Sequence, residues 1–224
     1  FTDNAELWTS FSLERNKDDE DLEQLVVLKE IREFLIDLLE SEFSDAVGEL
    51  PREVVSEILE SCAWMDDVDV SEEIGQGTSF LHNLERPVLN QVLENVEGSI
   101  EEAVIAAPYF GETDRVLQEL ISQGVSDLEL YLQQGKAQFD SESLDDLADD
   151  DAVSLKIFES SRFAHGKLLL LKTEEESYCL TGSANPSIQG MIKSAENGGN
   201  VESDILRKAD TPDYFDYLVE DEIV

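Results

Sequence analysis

Apolar positions change their spacing along this chain, and each spacing predicts an element. Residues 1–15 read FTDNAELWTSFSLER, and the alternation around Ala5 and Leu7 suits a strand. A bare terminal strand is not stable, so its partner is expected later in the chain or in a part that precedes it. Over 20–43, Leu22, Leu25, Val26, Ile31, Phe34, Leu35, Leu38 and Leu39 recur at helical intervals. Pro51 is set to open a second helix as its first residue, with Val54, Val55, Ile58 and Leu59 on one face. The acidic stretch Asp66 to Glu73 then meets Gly75 and Gly77 and reads as a linker or long loop.

From Ser79 the pattern alternates. Pro87 to Val96 predicts a helix, and Ala103 to Tyr109 a buried strand ending at Pro108. Thr113 caps a helix with Val116, Leu117, Leu120 and Ile121 on one face, and Gly124 stops it. Leu128–Leu132, Val153–Phe158, Gly166–Lys172, Tyr178–Thr181 and Val201–Leu206 read as strands. Ser143–Ala148 reads as a short helix and Pro212–Val219 as a closing one. This alternation predicts an α/β unit with a mixed sheet flanked by helices. It begins after residue 75, behind an N-terminal helical segment.

Composition adds a constraint of a different kind. The 224 residues include 53 acidic and 15 basic ones, a formal net charge of −38. The apolar fraction, 41%, is enough for a packed core, so the acidity is not that of a disordered tail. Like charge spread over every segment repels itself in dilute salt. In molar salt the Debye length falls to about 3 Å and the repulsion is screened. The composition is that of a salt-adapted protein, and a generally basic nucleic-acid footprint is excluded. Cys62 and Cys179 form no metal or disulfide framework, which reads as a reduced, cytoplasmic setting. No apolar run approaches the roughly 18 residues of a membrane span. The chain starts at Phe1, not Met, and is read as beginning inside a longer protein.

The candidate chemistry lies in FAHGKLLLLK and YCLTGSAN. His165 and Lys167 are two apart, so on a strand they share a face, opposite Leu168 and Leu170. Gly182-Ser183-Ala184-Asn185 follows a second apolar strand, where glycine lets the backbone approach a ligand closely. A lysine, an amide, a hydroxyl and an imidazole at adjacent strand ends suit a phosphate. Histidine supplies a nucleophile or an acid and base. The stretch from Lys156 to Lys208 has seven basic and seven acidic residues, so the remaining chain carries the whole net charge. Cations retained there against the general bias point to an anionic substrate.

His165-Gly-Lys167 with Gly182-Ser183-Ala184-Asn185 resembles the phospholipase D superfamily, over roughly residues 79–224 and the opening strand. The resemblance implies a phospholipase D-like α/β fold and a phosphodiesterase that works through a phosphohistidine, with no metal or other cofactor. It implies His165 as nucleophile or general acid, and Lys167 and Asn185 on the phosphoryl oxygens. Ser183 would support the histidine or a phosphate oxygen, and Glu202 would orient the histidine. The family's motif aspartate falls at Lys172 here, a departure that weakens the claim to activity. Nucleic acid is favoured over lipid as the substrate. A phosphatidyltransferase or phospholipase, or a silent module binding phosphate or a partner protein, remain the alternatives.

Asn4-Ala5-Glu6 and Asn200-Val201-Glu202 form a weak internal repeat. Members of this superfamily often contain two similar halves with one motif each. Residues 1–75 then look like the tail of a first half plus a helical insertion, and 76–224 like the second half. The site would be completed by the missing upstream half or by a homodimer partner. Other candidates get plainer readings. His82 is taken as a loop or cap residue, and Lys172 as a strand end or a phosphate contact. Trp8 and Trp64 are taken as core or interface, Glu174-Glu175-Glu176 as a solvated hairpin turn, and Cys179 as an inert strand residue beside the site.

Overall fold

A computed structural model describes residues 4–5, 9–11, 19–41, 43–44, 47–67, 77–111, 113–135, 138–139, 152–159 and 163–210. The helices expected at 143–148 and 212–219, and Trp8, lie outside them. The chain divides into two compact units, residues 1–9 with 81–224, and residues 10–80. Among the described residues no helix is long and apolar enough to cross a membrane.

The larger unit is a mixed α/β sheet flanked by helices, as the alternating pattern predicts. The sheet's strands are β2 (Thr78–His82, of which Leu81 and His82 fall in this unit), β3 (Glu102–Ala106), β5 (Asp127–Gln133), β7 (Val153–Phe158), β9 (Leu168–Lys172), β10 (Ser177–Gly182) and β11 (Ser203–Ala209). Their spatial order is β2-β11-β10-β9-β3-β5-β7. Strands β3, β5 and β7 are parallel, whereas β9 is antiparallel to both β3 and β10, and β10 to β11. Two small pairs stand apart. β1 (Asn4–Ala5) runs parallel to β8 (Phe163–Ala164), and β4 (Tyr109–Phe110) parallel to β6 (Gln138–Phe139). The opening strand thus finds its partner later in the chain. The predicted strand 103–109 is split, because Ala107-Pro108 interrupts the ladder and proline has no N–H to give it.

The Leu168–Leu171 run is explained by position: β9 is central and buried on both faces. Leu169 and Leu171 face the main core with Ile105, Leu128 and Leu130. That face is covered by α3 (Val88–Asn95) through Leu89 and Val92, and by α4 (Asp114–Ser122) through Val116, Leu117 and Leu120. Leu170 and Val104 form the other face with Tyr131, Leu168 and Cys179. Truncating one of these leucines to alanine costs about 2–5 kcal/mol, since a rigid core does not close over the cavity. Gly124 ends α4's turn at φ +103°, where a side chain would be strained.

The smaller unit holds α1 (Asp19–Glu40) and α2 (Glu49–Ser61). Leu25, Val27 and Phe34 of α1 are buried, and the Phe34 ring lies 5.4 Å from that of Phe80. Glu23 and Glu30 accept the N–H groups of Gly77 and Phe80 at 3.1 and 3.0 Å. Helix α2 begins two residues before Pro51 and buries none of its side chains. Leu50, Val54 and Ile58 are exposed, so the expected apolar face is present but uncovered among the described residues. Trp64 is likewise 44% exposed and is not a core residue.

Candidate active site

The strand registers bring both halves of the motif to one edge of the sheet. Leu168 pairs with Thr181 on β10 and with Ala106 on β3, and Gly182 pairs with Asp204 on β11. The residues just before β9 (His165 to Lys167), just after β10 (Ser183 to Asn185) and just before β11 (Glu202) therefore leave the sheet side by side. β9 itself starts at Leu168, later than the predicted Gly166, so His165 and Lys167 precede the ladder instead of lying in it.

Ser183 and Glu202 form the centre of the network. Ser183 Oγ donates to Glu202 Oε2 at 2.5 Å and accepts from the Ser203 N–H at 2.9 Å. Its one proton is thus committed to Glu202, and it has none to offer a phosphate oxygen. In this arrangement the hydroxyl braces the acid. Glu202 is 5% exposed and accepts a second bond from Asn200 Nδ2 at 3.0 Å. Burial pushes its carboxyl up, while the Ser183 and Asn200 bonds and the charge of Lys167 pull it down. Lys167 Nζ donates to the His165 carbonyl at 3.2 Å, which ties the histidine's backbone to the cation. His165 is half-buried, its ring 5.8 Å from that of Phe163, and it is not sealed in hydrocarbon. Asn185 is half-buried, with its Oδ1 buried and unbonded among the described residues. The main chain around it is fixed by Ser187 N–H donating to its carbonyl at 2.8 Å.

Three residues that sequence reasoning missed hold this edge together. Asn83, fully buried just after β2, accepts the Glu202 N–H at 2.7 Å. Its amide donates to the carbonyls of Asn200 and Lys193, at 2.7 and 3.1 Å. Gln133, at the end of β5, accepts the Ala164 N–H at 2.9 Å and fixes the chain one residue before His165. Asp204 sits across from Gly182, 2% exposed, and its Oδ1 accepts the Ala184 N–H at 3.2 Å. Its carboxyl is pushed up to about 7, first by burial, with Glu202 adding and Lys167 opposing. A Cβ at position 182 would lie 2.3 Å from Asp204 Oδ1 and 2.5 Å from the Ser203 carbonyl oxygen. Gly182 is therefore required by the neighbouring strand.

Other readings change too. His82 ends strand β2 and is not a loop residue. Thr113 does not cap α4 with its side chain; its hydroxyl donates to the Pro186 carbonyl. Lys172 lies at the far end of β9, roughly 17 Å of extended chain from Lys167, and pairs with Glu102 at 2.7 Å. It is a strand-end ion pair and not a phosphate contact. Lys156 and Lys208 are also paired with acids, so the neutral balance of 156–208 is not a pool of free cations at the site. Cys179 is an inert thiol, pushed up to about 11 by burial.

No family model matches the chain, and no curated protein matches it. Among solved structures it is similar to yeast tyrosyl-DNA phosphodiesterase, at 16% identity and a TM-score of 0.36, over 58% of this chain and 31% of that one. It is also similar to polyphosphate kinase from Porphyromonas gingivalis, at 8% identity and a TM-score of 0.35, over 75% of this chain and 26% of that one. The chain thus spans less than a third of the length of either. At these scores the likeness carries no argument about activity.

Proposed function

We propose that this chain is part of a phosphodiesterase of the phospholipase D superfamily, nuclease-like in its substrate, working through a phosphohistidine. Residues 76–224 are the second half of its catalytic domain, and residues 1–75 hold the tail of the first half and a helical insertion. The observation that carries this reading is the Leu168↔Thr181 register, because it makes His165–Lys167 and Gly182–Asn185 neighbours at one sheet edge. The influence of Lys167 on the carboxyl of Glu202 supports it.

In the proposed reaction an imidazole nitrogen of His165 attacks phosphorus. A P–N bond forms as the P–O bond to the leaving alcohol breaks, and a second histidine protonates that oxygen. This second group comes from the upstream half or from another copy of the chain. Water then attacks phosphorus, the P–N bond breaks, and the second histidine takes up the water's proton. Lys167 and the Asn185 amide bind the phosphoryl oxygens where charge develops. Glu202, held by Ser183, Asn200 and Asn83, balances the charge of Lys167 and keeps the edge rigid. Splitting one displacement into two lowers each barrier.

A polynucleotide is the proposed substrate. Membrane-surface helices are rich in Lys and Arg, whereas exposed α2 carries Glu49, Glu53, Glu57 and Glu60 against Arg52 alone. The test uses protein extended to include its upstream coding region, in molar KCl, with bis(4-nitrophenyl) phosphate, plasmid DNA and phosphatidylcholine vesicles, each with and without EDTA. EDTA-resistant cleavage of the diester and of DNA is expected, and His165→Asn should lower it by at least about a thousandfold. Unchanged turnover by His165→Asn refutes the assignment, and cleavage of the vesicles alone moves the substrate to lipid.

A further inference from the structure

Asp204 is a buried acid that the proposed reaction does not use. It faces the same side of the sheet as Leu206 in the main core, two residues from Glu202 on one chain. Oδ1 is satisfied by the Ala184 N–H, while Oδ2 is buried and has no hydrogen-bond partner among the described residues. An ionised carboxylate with one bare oxygen in such a place holds its charge only while a nearby cation offsets it, whereas a neutral acid needs no such offset. The charged groups acting on it are Glu202, ahead of β11 itself, and Lys167, from the segment ahead of β9. The turn after β10 adds the main-chain N–H groups of Ala184 and Ser183, and the titratable side chain of β2, on the other flank, is His82. Two acids thus share one ammonium, and one positive charge neutralises only one of them.

This balance shifts when an anion arrives. A phosphoryl group held by Lys167 takes up the cation's charge, and an ionised Asp204 would then stand beside Glu202 and the anion with nothing to offset it. We infer that Asp204 is the charge-balancing residue of the Lys167 site, a carboxylate when no anion is bound and a carboxylic acid when Lys167 holds a phosphoryl group. The inference rests on the reading of Lys167 as the phosphoryl-holding cation. On binding, one proton from the buffer forms an O–H bond at the free carboxyl oxygen, and on release it returns to the buffer. The buried cluster thereby keeps a constant charge as the anion comes and goes. Asp204 touches no reacting atom in this scheme and acts through Lys167, as a positioning residue.

Linkage makes the effect measurable, because a proton taken up with the anion means that protonation tightens anion binding by the same factor. Sulfate is the probe, since it does not titrate near neutrality. Its binding is measured by calorimetry at constant ionic strength, in two buffers of different ionisation enthalpy, for the unaltered protein, Lys167→Ala and Asp204→Asn. The unaltered protein should take up at least about half a proton more than Asp204→Asn near pH 7.5, and its affinity should fall by up to about tenfold more per pH unit above neutrality. Any contribution of His165 is common to both and cancels. Should Asp204→Asn fail to fold, the carboxyl carbon resonance of Asp204 in the unaltered protein decides, and its titration should move to higher pH with saturating sulfate. Equal proton uptake in the two proteins, or an unmoved titration, overturns the inference while Lys167-dependent binding keeps the functional reading. Sulfate binding that is absent or indifferent to Lys167→Ala overturns both.

Discussion

The two ends of strands β9, β10 and β11 carry the same residue types under opposite electrostatic terms. At the far end, Glu176 pairs with Lys208 at 2.7 Å and accepts from the Tyr178 hydroxyl, and these bonds hold its carboxyl below the usual range. Lys172 pairs with Glu102 across the β3–β9 ladder in the same way. At the motif end, Glu202 and Asp204 are pushed upward by burial, with Lys167 as the cation acting on both. One end satisfies its charges in partial solvent; the other holds more acid than it can neutralise. Folding alone favours the first arrangement. The second persists at a cost, and such costs gather where a protein does chemistry or binds ions.

Four changes break or sharpen this contrast. The largest effect is expected for His165→Asn, a loss of at least about a thousandfold in diester turnover with little change in melting temperature. Next comes Asn83→Ala, which strips three hydrogen bonds from a fully buried site and leaves the Glu202 N–H without its side-chain partner. It should cost about 3–4 kcal/mol in denaturant unfolding. The third, Asp204→Asn, should change stability in a pH-dependent way. The folded carboxyl stands at about 7 against 3.8 ordinarily, so its contribution is whole below about pH 4 and is lost as pH rises through 7. Between pH 5 and 8.5 the unaltered protein should lose on the order of 2–3 kcal/mol relative to Asp204→Asn. Matching pH profiles would remove the contrast. The smallest effect belongs to Lys172→Asp, which places the aspartate of the phospholipase D motif opposite Glu102. Like charges across the ladder should cost less than about 1 kcal/mol, and less still in molar salt, with turnover unaltered. A rise in turnover would mean that position 172 serves the site after all.

Much of this edge was legible because it is local. The Leu168–Leu171 run announces a strand buried on both faces, and the glycine at 182 announces a strand end. What escaped reading is what spans the chain. Asn83 is 119 residues from Glu202, and Gln133 is 31 from Ala164. No periodicity marks a buried amide whose partners are that remote. Asp204 was invisible for a second reason: in DILRK it looks like one more acid in an acidic chain, and only its register with Gly182 reveals its burial. Charge counting failed similarly at Lys156, Lys172 and Lys208, because sums along a segment ignore pairing across strands. The apolar stripe of α2 is legible as a stripe, but periodicity does not say whether anything covers it.

β11 is the last described strand, yet it lies between β10 and β2, and Asn83 anchors to the residue just before it. On the ribosome, β2 emerges well over a hundred residues before the neighbour that secures it, and such distant pairing slows folding. The acid pair therefore arrives only once synthesis has passed residue 204, and a nascent chain released before residue 202 would have Lys167 and neither acid of the pair.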